Sequence, residues 1–219
     1  MPSPDISEYP YPFIAKEGWP IMAVATCIAI FLFTFGFQFT GIVFLVVLVF
    51  VAQFFRDPER KAAIDINAIS SPADGRVVFV GKGIDPSQKI EALKISIFMN
   101  VFNVHSNRSP IKGKVISTEY IPGSFFNADL DKASEKNERN AIVFADDSGR
   151  KLTCVQIAGL IARRICCYVK SGDEVRRGAR FGFIRFGSRV DIFLPSESRP
   201  LVSVGDRIFA HSTALADWS

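Results

Sequence analysis

The sequence predicts a mainly β, sandwich-like α+β domain moored to a bilayer by an N-terminal helical hairpin. Three observations point there. Residues 19–55 run for 37 positions without an Asp, Glu, Lys, Arg or His. Further along, short β-branched and aromatic runs alternate with Gly, Pro, Asp and Ser, the punctuation of strands and turns. The chain is 48% hydrophobic yet 22% charged, a mixture explained by one apolar part and one globular part.

Residues 1–18 read as a tail. As a single helix, 19–55 would reach ~55 Å against a hydrocarbon core of ~30 Å. Two short helices are therefore predicted, 19–37 and 41–55, broken at Gln38-Phe39-Thr40-Gly41 and either crossing the bilayer or dipping in and returning. A buried core helix would be shorter. A cleaved signal peptide is a poor fit, because the run is too long and Lys16-Glu17 is a weak basic flank. Arg56, Arg60 and Lys61 follow the tract, so the positive-inside rule places residues 56–219 on the cytoplasmic side of the cell membrane. Cys154, Cys166 and Cys167 show no CxxC spacing, as expected of reduced thiols.

Residues 56–219 have the length of one domain. Strands are predicted at 75–81, 95–98, 113–118, 141–144, 152–157, 162–169, 181–186 and 190–194, with a charged loop or short helix at 128–140. A faint repeat joins Val169-Lys-Ser-Gly-Asp-Glu-Val175 to Val202-Ser-Val-Gly-Asp-Arg-Ile208. Gly-Asp between apolar strands is turn chemistry, and it recurs in small β-sandwiches that carry lipoyl or biotinyl groups. There is no P-loop and no GxGxxG. No metal site is predicted, because neither of the two histidines has a ligand-spaced partner. From 163 to 189 eight Lys/Arg face two acids, which suits anionic headgroups as well as it suits a solvated strand face. Aromatic–basic interleaving is lacking, which argues against nucleic acid.

Candidate chemistry rests on few residues. His105 follows a predicted strand and is ringed by Asn103, Ser106, Asn107 and Arg108, a better setting for a base than for a core histidine. His211, in Ala-His-Ser-Thr, reads as a surface residue. Asp74, in Ser71-Pro-Ala-Asp-Gly75, is by itself ordinary turn chemistry. Ser188 lies in Arg185-Phe-Gly-Ser-Arg-Val-Asp191, where Gly-Ser interrupts an apolar strand region and suggests a bend.

Taken in order, Phe55-Arg-Asp-Pro58, Ser71-Pro-Ala-Asp-Gly75, Phe102-Asn-Val-His105, Tyr120-Ile-Pro-Gly123, Asn137-Glu-Arg-Asn140 and Phe186-Gly-Ser-Arg189 are far more specific. The chain resembles the phosphatidylserine decarboxylase family, most closely its short bacterial and archaeal form, over nearly all of 55–195. The resemblance implies a proenzyme that cuts itself between Gly187 and Ser188, leaving chains 1–187 and 188–219 associated, with Ser188 converted to a pyruvoyl group. It implies His105 as base and Asp74 as the group that orients it. The substrate is then a serine phospholipid, held through a Schiff base and converted to phosphatidylethanolamine. Such chemistry needs an electron sink for the pair left on Cα when CO2 departs, which no ordinary side chain supplies.

Two positions depart from longer members of that family: Phe102 stands where they have a second histidine, and Arg189 where they have threonine. Arg189, beside the new pyruvoyl end, is expected to attract the substrate carboxylate or phosphate. Gly123-Ser124 is a second Gly-Ser pair and a competing cleavage site. Two other classes stay open: a membrane hydrolase using Ser188, His105 and Asp74, and a non-enzymatic lipoyl-like domain. The lipid tail type and a homo-oligomeric state are left open as well.

Overall fold

The structure, a computed structural model, describes residues 12–62, 68–125, 136–159, 164–185 and 187–218. It divides into two compact units, one within Tyr9–Glu59 and one within Arg60–Ser219.

The first unit is a helical hairpin. A short 3-10 turn, Lys16–Gly18, leads into α1 (Trp19–Thr34), and α2 (Gln38–Phe54) returns. Pro20 sits in the first turn of α1, where its missing N–H costs nothing. The break falls at Phe35-Gly36-Phe37, three residues before the expected patch. Gly36 supplies the left-handed turn at φ 81°, and Gln38 and Thr40 belong to the first turn of α2. Gly41 is a packing position, because a Cβ there would press on the Phe33 ring at 2.9 Å. At the base, Ala15 N–H donates to the Phe55 carbonyl at 2.7 Å, and Asp57 N–H donates to that of Phe13 at 2.6 Å. Entering and leaving chains are thus clamped, over Phe54 and Phe55 in edge-on contact. Lys16–Thr34, 19 residues, is long and apolar enough to cross a membrane; α2, with 17, is shorter. Only 17% of the spanning window is buried, which is unlike a core helix.

The second unit is antiparallel β throughout its named strands. Among the described residues they are β1 (Ala68–Ser70), β2 (Gly75–Ile84), β3 (Glu91–Met99), β4 (Ser106–Arg108), β5 (Gly113–Ile121), β6 (Arg139–Ala145) and β7 (Lys151–Ala158), then β8 (Ile165–Cys167), β9 (Glu174–Val175), β10 (Arg180–Ile184), β11 (Ser188–Pro195), β12 (Arg199–Pro200), β13 (Arg207–Ile208) and β14 (Ala214–Asp217). An eight-stranded sheet runs β13-β2-β3-β11-β7-β6-β5-β9, and two three-stranded sheets run β1-β14-β12 and β4-β10-β8. One core unites them. Ile95, Ile97, Val190 and Ile192 of the large sheet pack with Ile69, Leu215, Phe181 and Ile184 of the small ones. The expected mainly β domain is therefore present, and each predicted strand recurs with extended or trimmed ends. The segment expected at 162–169 is strand only at Ile165–Cys167, and residues 160–163 lie outside the described residues. So does 126–135, most of the predicted charged loop, while Arg139 and Asn140 already belong to β6.

The strand order carries an internal two-fold. Exchange β1 with β4, β2 with β5, β3 with β6, β11 with β7, β12 with β8, β13 with β9 and β14 with β10, and every pairing maps onto another. The Gly-Asp repeat is the visible trace. Gly205 N–H donates to the Val77 carbonyl and Val77 N–H to that of Asp206; Gly172, Val115 and Asp173 repeat the pattern, all at 2.8–2.9 Å. A second repeat becomes legible only through the pairing: Ser71-Pro-x-x-Gly75-Arg-Val77 matches Ser109-Pro-x-x-Gly113-Lys-Val115. Both long hairpins then bulge after the matching valine, between Val77 and Phe79 and between Val115 and Ser117.

Candidate active site

Ser188 begins β11, in register with Met99 of β3 on one side and Ala158 of β7 on the other. The preceding Gly187 has φ 65°, a left-handed conformation that glycine adopts without strain. This bend separates β10, in a small sheet, from β11, in the large one, which is why Gly-Ser interrupts an apolar run. Ser188 is fully buried, and its hydroxyl donates to the Met99 thioether at 3.3 Å. A thioether is a weak acceptor, so the proton is loosely held. The Gly187 carbonyl accepts the Gly159 N–H at 3.1 Å. The Ser188 hydroxyl thus follows a bent glycine, free of a side chain, whose carbonyl carries a donor.

His105 lies between β3 and β4 and is fully buried. Its Nδ1 is 3.0 Å from the Asn103 carbonyl. A carbonyl only accepts, so Nδ1 carries the proton and Nε2 is the basic nitrogen. The His105 carbonyl accepts the Ile184 N–H at 3.3 Å, which anchors the segment on β10.

Asp74 lies in the turn between β1 and β2 and is buried. One oxygen accepts the Ala210 N–H at 2.8 Å, and the other is ion-paired with Arg60. Arg60 also stacks on the Phe209 ring, 5.3 Å from its centroid. The hydrogen bond from Arg108 N–H to the Pro72 carbonyl, 2.9 Å, lays the chain after His105 alongside this turn. Asp74 and His105 therefore converge on the end of the sheet where Ser188 begins. The orienting contact seen at His105 Nδ1 is the Asn103 carbonyl, and those seen at the Asp74 carboxylate are Arg60 and Ala210.

Arg189 is placed differently from the expectation. Alternation along β11 sends its side chain to the face opposite Ser188. There its Nε donates to Asp191 at 2.6 Å and a terminal nitrogen to Ser96 at 2.8 Å, while Lys94 holds the other Asp191 oxygen at 3.1 Å. It is 1% exposed. His211 is also not the surface residue expected: it is half-buried at φ 64°, and a Cβ on Gly178 would meet its ring at 2.5 Å.

Gln156 and Gly159 escaped sequence reasoning, as did the contacts that Asn107, Asn137 and Asn140 make. Asn140 Nδ2 donates to Gln156 at 3.0 Å, and Gln156 Nε2 donates to Asn107 at 2.8 Å, a buried amide chain on the Ser188 face. Asn137 Nδ2 donates to the Ala158 carbonyl at 2.7 Å, next to Gly159. The Asn137-Glu-Arg-Asn140 segment thus supports the strand end that carries the Gly159 donor. Gly159 itself acts through its backbone, which no side chain advertises.

The family model for phosphatidylserine decarboxylase matches residues 47–216, a span that holds Asp74, His105, Gly159, Gly187 and Ser188. The chain belongs to the phosphatidylserine decarboxylase family. The phosphatidylserine decarboxylase proenzymes of Burkholderia vietnamiensis and Burkholderia multivorans are each 56% identical to it over 212 residues, covering 95% of this chain and 98% of theirs. That of Burkholderia cenocepacia is equally similar. The decarboxylase match thus includes the helices, the Gly-Ser bend and the closing strands alike.

Proposed function

We propose that this decarboxylase converts phosphatidylserine to phosphatidylethanolamine with a pyruvoyl group that it makes by cutting itself between Gly187 and Ser188. Family membership carries the reaction. The hydrogen bond from Gly159 N–H to the carbonyl of Gly187, beside a buried serine hydroxyl, carries the choice of bond. In this reading His105 Nε2 takes the Ser188 proton and the oxygen attacks the Gly187 carbonyl carbon, while the Gly159 N–H stabilises the oxyanion. The C–N bond breaks and an ester forms. Loss of the Ser188 α-proton expels the Gly187 carboxylate and leaves dehydroalanine. Tautomerisation to the imine, then attack by water, releases ammonia and leaves the ketone.

Ser188 and its surroundings fit the group: a buried position, an unhindered glycine before it and a sheet on either side. The pyruvoyl carbonyl supplies the sink for the electron pair left when CO2 departs. His105, held by Asn103, returns the proton to Cα, and Asp74, itself fixed by Arg60 and the Ala210 N–H, serves as the orienting carboxylate. Arg189 acts through its ion pair, holding β11 in place.

Residues 19–55 serve as the membrane hairpin in this reading, supported by the apolar surface of α1 and α2, with Phe31, Phe39 and Val49 more than half exposed. Arg56, Arg60 and Lys61 favour a cytoplasmic catalytic domain. Chains 1–187 and 188–219 stay associated because β11 lies between β3 and β7, and β13 and β14 pair with β2 and β1. Mass spectrometry of the denatured protein is expected to show two fragments broken at Gly187–Ser188, and Ser188→Ala to remain whole and release no CO2. Full-length protein as the only species in active material would overturn the proposal, and a break at Gly123–Ser124 would relocate it.

A further inference from the structure

Ser188 and His105 are fully buried, so a lipid headgroup needs a way in. A groove of about 910 Å³ runs along β2 and β13, and residues next to those of the site line it. Gly75 in its wall follows Asp74. Asn103 holds His105, and Phe209 precedes Ala210, which holds Asp74. Phe98 and Asn100 flank Met99, the partner of the Ser188 hydroxyl.

The internal two-fold supplies a comparison within the same molecule. A second groove, about 820 Å³, lies along β5 and β9 at the exchanged position, lined by Gly113, Lys114 and Glu174 where the first has Gly75, Arg76 and Arg207. The backbone frame is shared and the chemistry is not. The distal groove is lined by three acids and three cations. The groove at the site has two arginines, Arg76 and Arg207, and no acid. Counting along the repeat, Phe209 stands in place of Arg176 and Val204 in place of Ser171. Phe102, Val204 and Phe209 are 64%, 62% and 49% exposed. One of two equivalent grooves has thus exchanged balanced charge for cations inside an apolar rim. That pattern fits an anionic amphiphile, its phosphate on the arginines and its acyl chains against the rim.

We infer that this groove is the lipid entrance of the catalytic domain: Phe102, Val204 and Phe209 enter the acyl region of the bilayer, while Arg76 and Arg207 receive the phosphate of a serine phospholipid. The inference rests on Ser188 being the reacting residue. The rim matters only when the substrate sits in a bilayer, whereas the arginines meet a phosphate that any serine phospholipid carries.

The test uses the full chain reconstituted in vesicles and reads CO2 release from two substrates: long-chain phosphatidylserine within the bilayer, and a dibutyroyl serine phospholipid added below its micellar concentration. Val204→Glu and, separately, Phe102→Ser are expected to lower the ratio of bilayer to soluble activity at least tenfold, with self-cleavage reporting that each is folded. Arg76→Gln combined with Arg207→Gln is expected to raise KM at least fivefold for both substrates. A ratio within twofold of wild type, or an equal loss on both substrates in the rim variants, overturns the lipid entrance. CO2 release by Ser188→Ala would instead overturn the site reading, and the two failures are distinct.

Discussion

Gly187 and Gly159 set the surroundings of the proposed scissile bond: one bends the chain without a Cβ in the way, and the other places a donor on the carbonyl. Around them, buried charge sets what each residue tolerates. Burial, then the charges of Arg177 and Arg108, hold His211 below its usual pKa of 6.5. The folded chain therefore keeps it neutral where the unfolded chain would protonate it. That contribution is complete above pH 6.5 and is lost as pH falls through the depressed value. The melting temperature is expected to fall between pH 7 and pH 5, with a shallower slope in His211→Gln, measured by thermal scans across that range. Arg189→Gln removes one charged partner of the buried Asp191 and leaves Lys94 on its other oxygen; losing one partner of a buried pair costs about 3–5 kcal/mol. Its unfolding temperature is expected to drop by several degrees while KM for lipid in the folded fraction stays within twofold. A large rise in KM without loss of stability would return Arg189 to the role of substrate ligand.

At the level of elements, the close approaches are made at glycines in equivalent strands. A Cβ on Gly75 would overlap the Phe98 carbonyl, and one on Gly113 would overlap the Ala145 carbonyl, the equivalent position across the two-fold. Backbone cannot yield as the tip of a flexible side chain can. Gly113→Ala, at the far groove, is therefore expected to lower thermal stability as much as Gly75→Ala beside the site, compared by melting curves in the uncleaved Ser188→Ala background. In the hairpin, Gly36 makes the turn and Gly41 admits the Phe33 ring, so two glycines in one apolar tract have unlike roles.

For the whole molecule, the proposed cut after Gly187 falls at the mouth of a strand paired on both sides. β11 pairs with β3 over eight register positions and with β7 over six, so cleavage there would free a strand end and leave the sheet joined. Fragments 1–187 and 188–219 are expected to co-elute under native conditions and to separate in about 6 M guanidinium, read by size exclusion with mass detection; separation without denaturant would show that the sheet does not hold them. The two-fold places β11 and β7 together at the centre and the two grooves at the outer ends, so one repeat can carry chemistry while the other keeps the frame.

Local chemistry made much of this legible from residues alone. A tract without charge declares apolar helices, alternating β-branched runs declare strands, and the motifs holding Asp74, His105 and Ser188, taken in order, declare the family. The hairpin break was misplaced because Gln38 and Thr40 look like a loop, whereas the helix continues through them and it is Gly36, not Gly41, that takes positive φ. Short strands such as β1, β4 and β12 carry too few residues for a period to show. Tertiary structure alone decided the rest. Pairing put Ser96 and Lys94 beside Arg189 and Asp191 and brought Gly159 to the Gly187 carbonyl, and folding drew Asn140, Gln156 and Asn107 into one buried chain. The physical reason is common to all three: a strand's own sequence fixes which side chains share a face, but what each face and each backbone group meets is set by strands far away in the chain.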